Sequence, residues 1–136
     1  MDADKAREFL RDNHRTILVT YRSDGGLQTS PVVTTVDGEG RAIISTRDTA
    51  YKVKNLRRDA RATLCVFTDN FFGEHVQVEG TAEIVSLPDA MELLVDYYRR
   101  LAGEHDDWDD YRAAMEREKR CLVRIPIERA GPDRAG

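Results

Sequence analysis

Cysteine is scarce in this sequence, and long apolar runs are absent from it. The two cysteines, Cys65 and Cys121, lie within short apolar stretches, so we interpret them as buried thiols of a reducing compartment rather than as a disulfide. Residues 1–15 are charged and have no apolar segment that would suit a secretory signal. No apolar run approaches the roughly 20 residues that cross a bilayer. We therefore expect a cytoplasmic protein with no membrane partner.

Excess positive charge and the common catalytic motifs are also lacking. The net charge is −4, which does not favour nucleic acid as a partner. The three histidines, His14, His75 and His105, have spacings that match no zinc signature, so we expect no metal site. No nucleophile elbow, P-loop or dinucleotide fingerprint occurs, and no nucleophile–base pair is recognisable. The pattern indicates that any enzymatic activity depends on a cofactor that carries the reactive atom.

The composition favours one small domain. Hydrophobic residues make up 40% of the chain and charged residues 34%, a balance typical of a fold with a single core. We expect one domain over residues 1–136, of which about 129–136 form a loose tail. A chain of this size has little room for a deep pocket of its own, which favours a ligand site shared between two subunits.

Short strands dominate the predicted secondary structure. Tight turns at 23–26 and 37–40 would join the first three strands into an antiparallel meander. Gly80 interrupts the inner row of a later strand, which indicates a bend, and Pro126 indicates a sheet edge. The pattern predicts strands at 16–21, 27–36, 41–46, 62–67, 75–86 and 121–127, and helices at 4–13, 49–58, 88–102 and 107–119. The fold class is therefore mainly β (α+β), an antiparallel barrel of about six strands with flanking helices.

The most informative candidate site is the segment 45–56, where a strand rich in hydroxyls runs into a short basic helix. Asp48 or Thr49 would suit the N-cap of that helix. The free amides of a helix N-terminus favour an anion, and Lys52 adds a positive charge nearby. The segment is therefore either a phosphate site or a solvated basic helix face.

Two other segments allow a functional and a structural interpretation. Phe71 and Phe72, just before a strand, could stack on a planar ring, pack across a subunit interface, or form a lid on the core of their own subunit. The carboxylates of residues 103–110 match no calcium loop. They are typical instead of acidic residues that complement a helix N-terminus.

Several short motifs resemble those of one known family. They are N-L-R-R-D-x-R at 55–61, V-E-G-x-A at 78–82 and G-E-H-x-D-W-D-D-Y at 103–111. Together with TILVTYRSDGGLQTSPV at 16–32 and RCLVRIPIERAGP at 120–132, they extend over nearly the whole chain. The sequence resembles the pyridoxamine 5′-phosphate oxidase-like split-barrel superfamily, and more closely its actinobacterial branch that uses the deazaflavin coenzyme F-420. The resemblance implies a six-stranded split barrel of the FMN-binding type that forms a homodimer.

The resemblance also implies where a coenzyme would bind, in two equivalent sites built from both subunits. Ala50 and His75 stand where the family often has an arginine and an aromatic residue. The implied contacts are Gln28, Ser30 and Val32 along the ring system, and Ser45, Thr46, Arg47, Lys52 and Asn55 at the phosphate and tail. The partner subunit would add residues around Phe72, Gly73, His75 and Val76, and a basic residue before the last strand falls on Arg120.

The implied reaction is reduction of a small organic acceptor by hydride from reduced F-420, with a proton from solvent or a side chain. The protein would supply orientation in a partly dry site. Ser30 or a backbone amide is the candidate for polarising the ring edge, and no other catalytic residue is identified. Two alternatives stay open: an FMN-dependent oxidase or flavin reductase, and a non-catalytic protein that binds a flavin, F-420 or a tetrapyrrole.

Overall fold

The computed structural model of the protein describes residues 1–132, which contain four helices and nine strands. The helices are α1 (Ala3–Asp12), α2 (Tyr51–Arg58), α3 (Met91–Ala102) and α4 (Trp108–Arg117). The strands are β1 (Arg15–Tyr21), β2 (Leu27–Val33), β3 (Thr35–Val36), β4 (Ala42–Arg47), β5 (Arg61–Phe67), β6 (His75–Thr81), β7 (Glu83–Ser86), β8 (Arg120–Ile125) and β9 (Arg129–Gly131). None of these helices has the length and hydropathy needed to span a bilayer.

The strands form two antiparallel sheets. The first has the order β2-β1-β5-β6-β9 and the second the order β3-β4-β8-β7. Strand β2 lies at the edge of the first sheet and contains Pro31, a residue that cannot donate to a neighbouring strand and is therefore found at edges. The edge of β2 consequently remains available to a ligand.

Alternating side chains of the strands build the core between the two sheets. On β1 and β5 every second residue is buried, as the two-residue period of a strand requires. Leu18, Leu64 and Val78 of the first sheet pack with Ile44 and Ile125 of the second. A second apolar cluster fills the space between α3, α4 and the outer face of the second sheet. Both clusters fix the positions of the elements that surround the candidate site.

The predicted mainly β, α+β class is confirmed, but the count of six strands is wrong. Two predicted strands each divide where the chain passes from one sheet to the other. Residues 27–36 divide at Thr34 into β2 and β3, and 75–86 divide at Ala82 into β6 and β7. The predicted antiparallel pairing of the first three strands is confirmed in part: β1 pairs with β2 and β3 pairs with β4, but the two pairs belong to different sheets. The two-residue period continues across Thr34 and gives no sign of the change of sheet there, whereas Gly80 interrupts the inner row just before the change at Ala82.

The predicted bend at Gly80 is confirmed, because the chain leaves the first sheet just after this residue. A Cβ atom at Gly80 would collide with the carbonyl oxygen of Pro126 and the Cγ2 atom of Ile125. The close approach of two backbones at this corner therefore requires glycine.

Two expectations about the carboxyl-terminal segment are corrected. Strand β8 lies between β4 and β7 and ends at Ile125, so Pro126 follows an inner strand rather than marking a sheet edge. Residues Arg129–Gly131 of the predicted loose tail form β9, which pairs with β6. Residues 133–136 lie outside the described part of the chain.

Candidate functional site

A cleft of about 430 Å³ lies where β2, β4 and β8 meet three of the helices. Five of the residues named from the sequence line it: Val32, Ser45, Thr46, Lys52 and Arg120. Its other lining residues are Pro31, Val33, Tyr97, Tyr98, Tyr111 and Met115. The structure thus brings together most of the predicted strand-to-helix segment and one wall of aromatic residues.

The polar part of the cleft is formed at the junction of β4 and α2. Helix α2 begins after Ala50, which has no side chain that could cap it. The Val53 amide donates to the Ala50 carbonyl at 3.1 Å, and the Tyr51 and Lys52 amides, which precede the first intrahelical bond, are placed to meet an anion. The predicted capping role of Asp48 or Thr49 is therefore wrong. The Asp48 carboxylate instead accepts hydrogen bonds from Arg57 Nη2 at 2.7 Å and from Ser86 Oγ at 2.9 Å. Asp48 is consequently engaged away from the helix N-terminus, which leaves Lys52 as the charged residue there.

Two arginines flank the same junction. Arg47 ends β4 and lies directly opposite Arg120, the first residue of β8. Glu118 lies within ion-pair distance of both, at 2.8 Å from Arg120 Nη2 and 3.6 Å from Arg47 Nη2. The hydrogen bond with the Arg120 guanidinium holds the pKa of the Glu118 carboxyl below its usual value. Arg120 lines the cleft, whereas the Arg47 side chain is mostly exposed beside it.

The opposite wall of the cleft is aromatic. Tyr98 and Tyr111 lie with ring centroids 5.2 Å apart, and both contact the ring of Trp108 edge-on. His105 completes this group at 5.0 Å from Tyr98. Edge-to-face and tilted contacts at these distances are favourable, so the wall is a rigid one.

Two tyrosine hydroxyls anchor α3 and α4 around the cleft. Tyr97 donates to the Val33 carbonyl at 2.7 Å, and Tyr111 donates to the Leu94 carbonyl at 2.7 Å. Burial raises the pKa of Tyr97 to about 12, and burial also raises the pKa of Tyr111 to about 12. Both phenols therefore stay protonated at neutral pH and act here as hydrogen-bond donors.

The acidic segment 103–110 caps a helix, as the sequence predicted. Asp107 is the N-cap of α4 and accepts from the Asp110 amide at 3.1 Å. Glu104 accepts from the indole of Trp108 at 3.0 Å, and His105 Nδ1 accepts from the Asp107 amide. Within residues 1–132 no group of three or more acidic, histidine or cysteine side chains has an arrangement that could hold a metal ion.

Gln28 and Asn55 lie beside the cleft and bond to each other rather than facing it. The Asn55 amide donates to Gln28 Oε1 at 2.7 Å and to Thr20 Oγ1 at 3.2 Å. Arg58 Nη2 donates to Asn55 Oδ1 at 3.2 Å. Ser30 is 8% exposed on β2, opposite Leu18 of β1. The bond between Gln28 and Asn55 joins β2 to α2.

The residues expected from a partner subunit lie away from this cleft. Phe72 is 93% exposed in the loop that also holds Gly73, and Phe71, which stacks on Phe67, is 73% exposed. Such exposure excludes the interpretation of these rings as a lid on the core. His75 lines a second, polar cleft of about 430 Å³ with Gln77, Glu79 and residues 129–132. The Val76 side chain is buried in the core, which leaves its backbone for any contact with a ligand.

Sequence reasoning missed Tyr97, Tyr98, Tyr111 and Met115 as lining residues. They recur at helical spacing, which by itself indicates the apolar face of a helix rather than the lining of a cleft. The signal that could have revealed them is their chemistry, because three tyrosines on apolar helix faces need hydrogen-bond partners or contact with solvent.

Two antiparallel sheets packed around a core, with a cleft at a strand-to-helix junction, form the architecture of a split barrel. The family model of pyridoxamine 5′-phosphate oxidase matches residues 3–131, and the chain belongs to that family. The resemblance stated from the sequence motifs is therefore confirmed at the level of the superfamily.

Three solved structures have similar folds. A conserved hypothetical protein from Mycobacterium tuberculosis is 25% identical with a TM-score of 0.76, over 100% of this chain and 92% of that one. A protein described as an F-420 reductase is 20% identical with a TM-score of 0.70, over 92% of this chain and 94% of that one. A haem-binding protein from Mycobacterium smegmatis is 18% identical with a TM-score of 0.71, over 97% of this chain and 55% of that one.

Proposed function

We propose that the protein is an F-420-dependent reductase that transfers a hydride from the reduced deazaflavin to a small organic acceptor. The observation that carries this proposal is the cleft itself, in which Lys52, Arg120 and two hydroxyls face a wall of aromatic rings. A coenzyme with a planar ring and a phosphorylated tail has the same two chemical parts. The similarity in fold to a protein described as an F-420 reductase supports a coenzyme of this type.

The polar end of the cleft would hold the phosphate and the tail. Lys52 supplies a positive charge, and Ser45 and Thr46 supply hydroxyl donors at the free N-terminus of α2. Arg120 and Arg47 add two guanidinium groups on the other side of the junction. This donor set fits an anionic group better than it fits a neutral one.

The edge of β2 would lie along the ring system. Val32 lines the cleft, and Gln28 is fixed by the amide of Asn55. Ser30 is the candidate for polarising the ring edge, together with backbone groups that β2 presents as an edge strand. When bound, the reduced deazaflavin supplies the hydride. The residues of this chain orient the acceptor and exclude water, and the accompanying proton comes from solvent or from a nearby side chain.

We further propose a homodimer, in which the partner subunit completes each site. The outer face of the first sheet carries Ile17, Val19 and Phe67, all partly exposed, and the loop at its end carries Phe71 and Phe72. Apolar side chains grouped on a surface are typical of a protein interface. The partner's Phe72, Gly73 and His75, with the Val76 backbone, would then reach the coenzyme.

The proposed location is the cytoplasm. Cys65 and Cys121 are free thiols, and burial raises the pKa of both. Free, unreactive thiols are typical of a reducing compartment.

The experiment that tests the proposed activity is a turnover assay with chemically reduced F-420 and a panel of activated alkenes, quinones and nitro compounds. We expect acceptor-dependent oxidation of reduced F-420, seen as recovery of the absorbance and fluorescence of the oxidised coenzyme. Turnover of the acceptors with reduced FMN but not with reduced F-420 would identify the protein as a flavin reductase. Tight binding of F-420, FMN or haem without turnover of any acceptor would make it a carrier, in line with its similarity to a haem-binding fold.

A further inference from the structure

Glu118 places a negative charge beside Arg120, at the cationic edge of the cleft. Its carboxylate lies 2.8 Å from Arg120 Nη2 and 3.6 Å from Arg47 Nη2. Because Arg47 and Arg120 are directly opposite on neighbouring strands, their like charges would repel each other without a shared counter-ion. Glu118 therefore neutralises one of the two positive charges that an anionic ligand would meet.

The backbone holds Glu118 in this position. Glu118 is the C-cap of α4, and its amide donates to the Ala114 carbonyl at 2.9 Å. The next residue, Lys119, has a φ of 54°, and its carbonyl accepts from the Asp48 amide at 2.8 Å. The turn that carries Glu118 is thus bonded to the segment between β4 and α2. The side chain is 29% exposed, so the contact is only partly screened by solvent.

We propose that Glu118 is a specificity-determining residue of the cleft, an internal counter-ion that a phosphate group displaces from Arg47 and Arg120. This inference rests on the proposed function, because it assumes that the cleft binds the phosphorylated part of a coenzyme. A ligand carboxylate would exchange one singly charged group for another and gain little. A phosphate group presents tetrahedrally arranged oxygens that two guanidinium groups can reach together, so it displaces Glu118 with a net gain.

The test compares Glu118→Gln with Glu116→Gln, an equal change of charge two residues away on an exposed side chain. Calorimetric titration with F-420, and separately with inorganic pyrophosphate, measures affinity at several salt concentrations. We expect Glu118→Gln to bind both ligands about three- to tenfold more tightly than wild type, and with a steeper dependence on salt. Glu116→Gln should have nearly the same affinity for both ligands, and the same dependence on salt, as the wild type.

The pyrophosphate titration separates failure of this inference from failure of the proposed function. In one outcome, F-420 fails to bind while pyrophosphate binds more tightly to Glu118→Gln than to the wild type. That result would support the counter-ion role of Glu118 and contradict the coenzyme assignment. Unchanged or weaker pyrophosphate binding by Glu118→Gln would overturn the counter-ion role, as would equal effects of the two variants. Absence of pyrophosphate binding to all three proteins would overturn it too.

Discussion

Asn55 of α2 donates its side-chain amide to Gln28 Oε1 of β2 across a distance of 2.7 Å. The same nitrogen reaches Thr20 Oγ1 of β1, and the Asn55 side chain is almost entirely buried. One amide therefore joins the helix that carries Lys52 to the strand that carries Val32. This side-chain contact, together with the apolar packing of α2, holds α2 and β2 in fixed positions beside the cleft.

Replacement of Asn55 should destabilise the fold and loosen the site. We expect Asn55→Ala to lower the free energy of unfolding by about 1–3 kcal/mol, because it leaves the buried Thr20 hydroxyl without its amide donor. Urea denaturation of the wild type and the variant measures the difference. Gln28→Ala serves as the control, since Asn55 keeps its bond to Thr20 in that variant, and it should cost less. An equal cost for both variants would contradict the role of the buried amide.

Lys52 should contribute to coenzyme binding through its charge at the start of α2. We expect Lys52→Ala to weaken F-420 binding about tenfold, which corresponds to about 1.4 kcal/mol. Fluorescence titration measures the change. Lys54→Ala is the matched control, because Lys54 lies on the same helix over the Tyr51 ring, outside the cleft. Equal affinities of the two variants would show that the phosphate lies elsewhere.

Gly80 should be irreplaceable at the corner between the two sheets. Gly80→Ala places a methyl group against the Pro126 carbonyl and the Ile125 side chain, and we expect it to cost about 1–3 kcal/mol. Gly131→Ala is the control, since within residues 1–132 no atom beyond its two chain neighbours lies within 4 Å of the position its Cβ would take. Thermal denaturation of both variants measures the difference. Equal stability of Gly80→Ala and Gly131→Ala would contradict this expectation, because it would show that the backbone at the corner can move to accommodate a methyl group.

Alkaline pH should destabilise the helices that surround the cleft. The pKa of Tyr97 and that of Tyr111 are each raised from 10 to about 12 by burial, so the folded state holds these protons more tightly than the unfolded state. The stability this contributes is complete below pH 10 and is lost as the pH rises to about 12. We expect two of the five tyrosines to ionise late in an absorbance titration of the folded protein.

The control for this titration is the protein in concentrated urea, where all five tyrosines should ionise together near pH 10. Tyr97→Phe and Tyr111→Phe should each remove one phenol from the late group. If all five ionise together in the folded protein as well, the buried positions of these two rings are contradicted.

The sequence predicted most elements of the fold and about half of the cleft. Short β-branched and apolar runs identified β1 and β5, and alternation identified β6. The change from a strand rich in hydroxyls to a basic helix identified the junction that holds Ser45, Thr46 and Lys52. These features are local, and local patterns are what a sequence displays directly.

The division of the strands between two sheets and the aromatic half of the cleft depend on contacts between segments that are distant in the sequence. The divisions at Thr34 and Ala82 follow from which sheet each half of a strand joins, and neither residue interrupts the local pattern. The aromatic wall forms only when α3 and α4 pack together, which brings Tyr98 to Tyr111 across thirteen positions of the chain. The engagement of Asp48 by Arg57 and Ser86 likewise joins three separate elements.

The most direct test of the central claim is a titration of the purified protein with F-420 beside FMN, under identical salt, followed by fluorescence. The account predicts saturable binding of F-420 in preference to FMN, with a stoichiometry of one coenzyme per chain. Preferential binding of FMN would contradict the deazaflavin assignment and make the protein an FMN-type member of its family. Binding of neither coenzyme would contradict the assignment of the cleft as a coenzyme site.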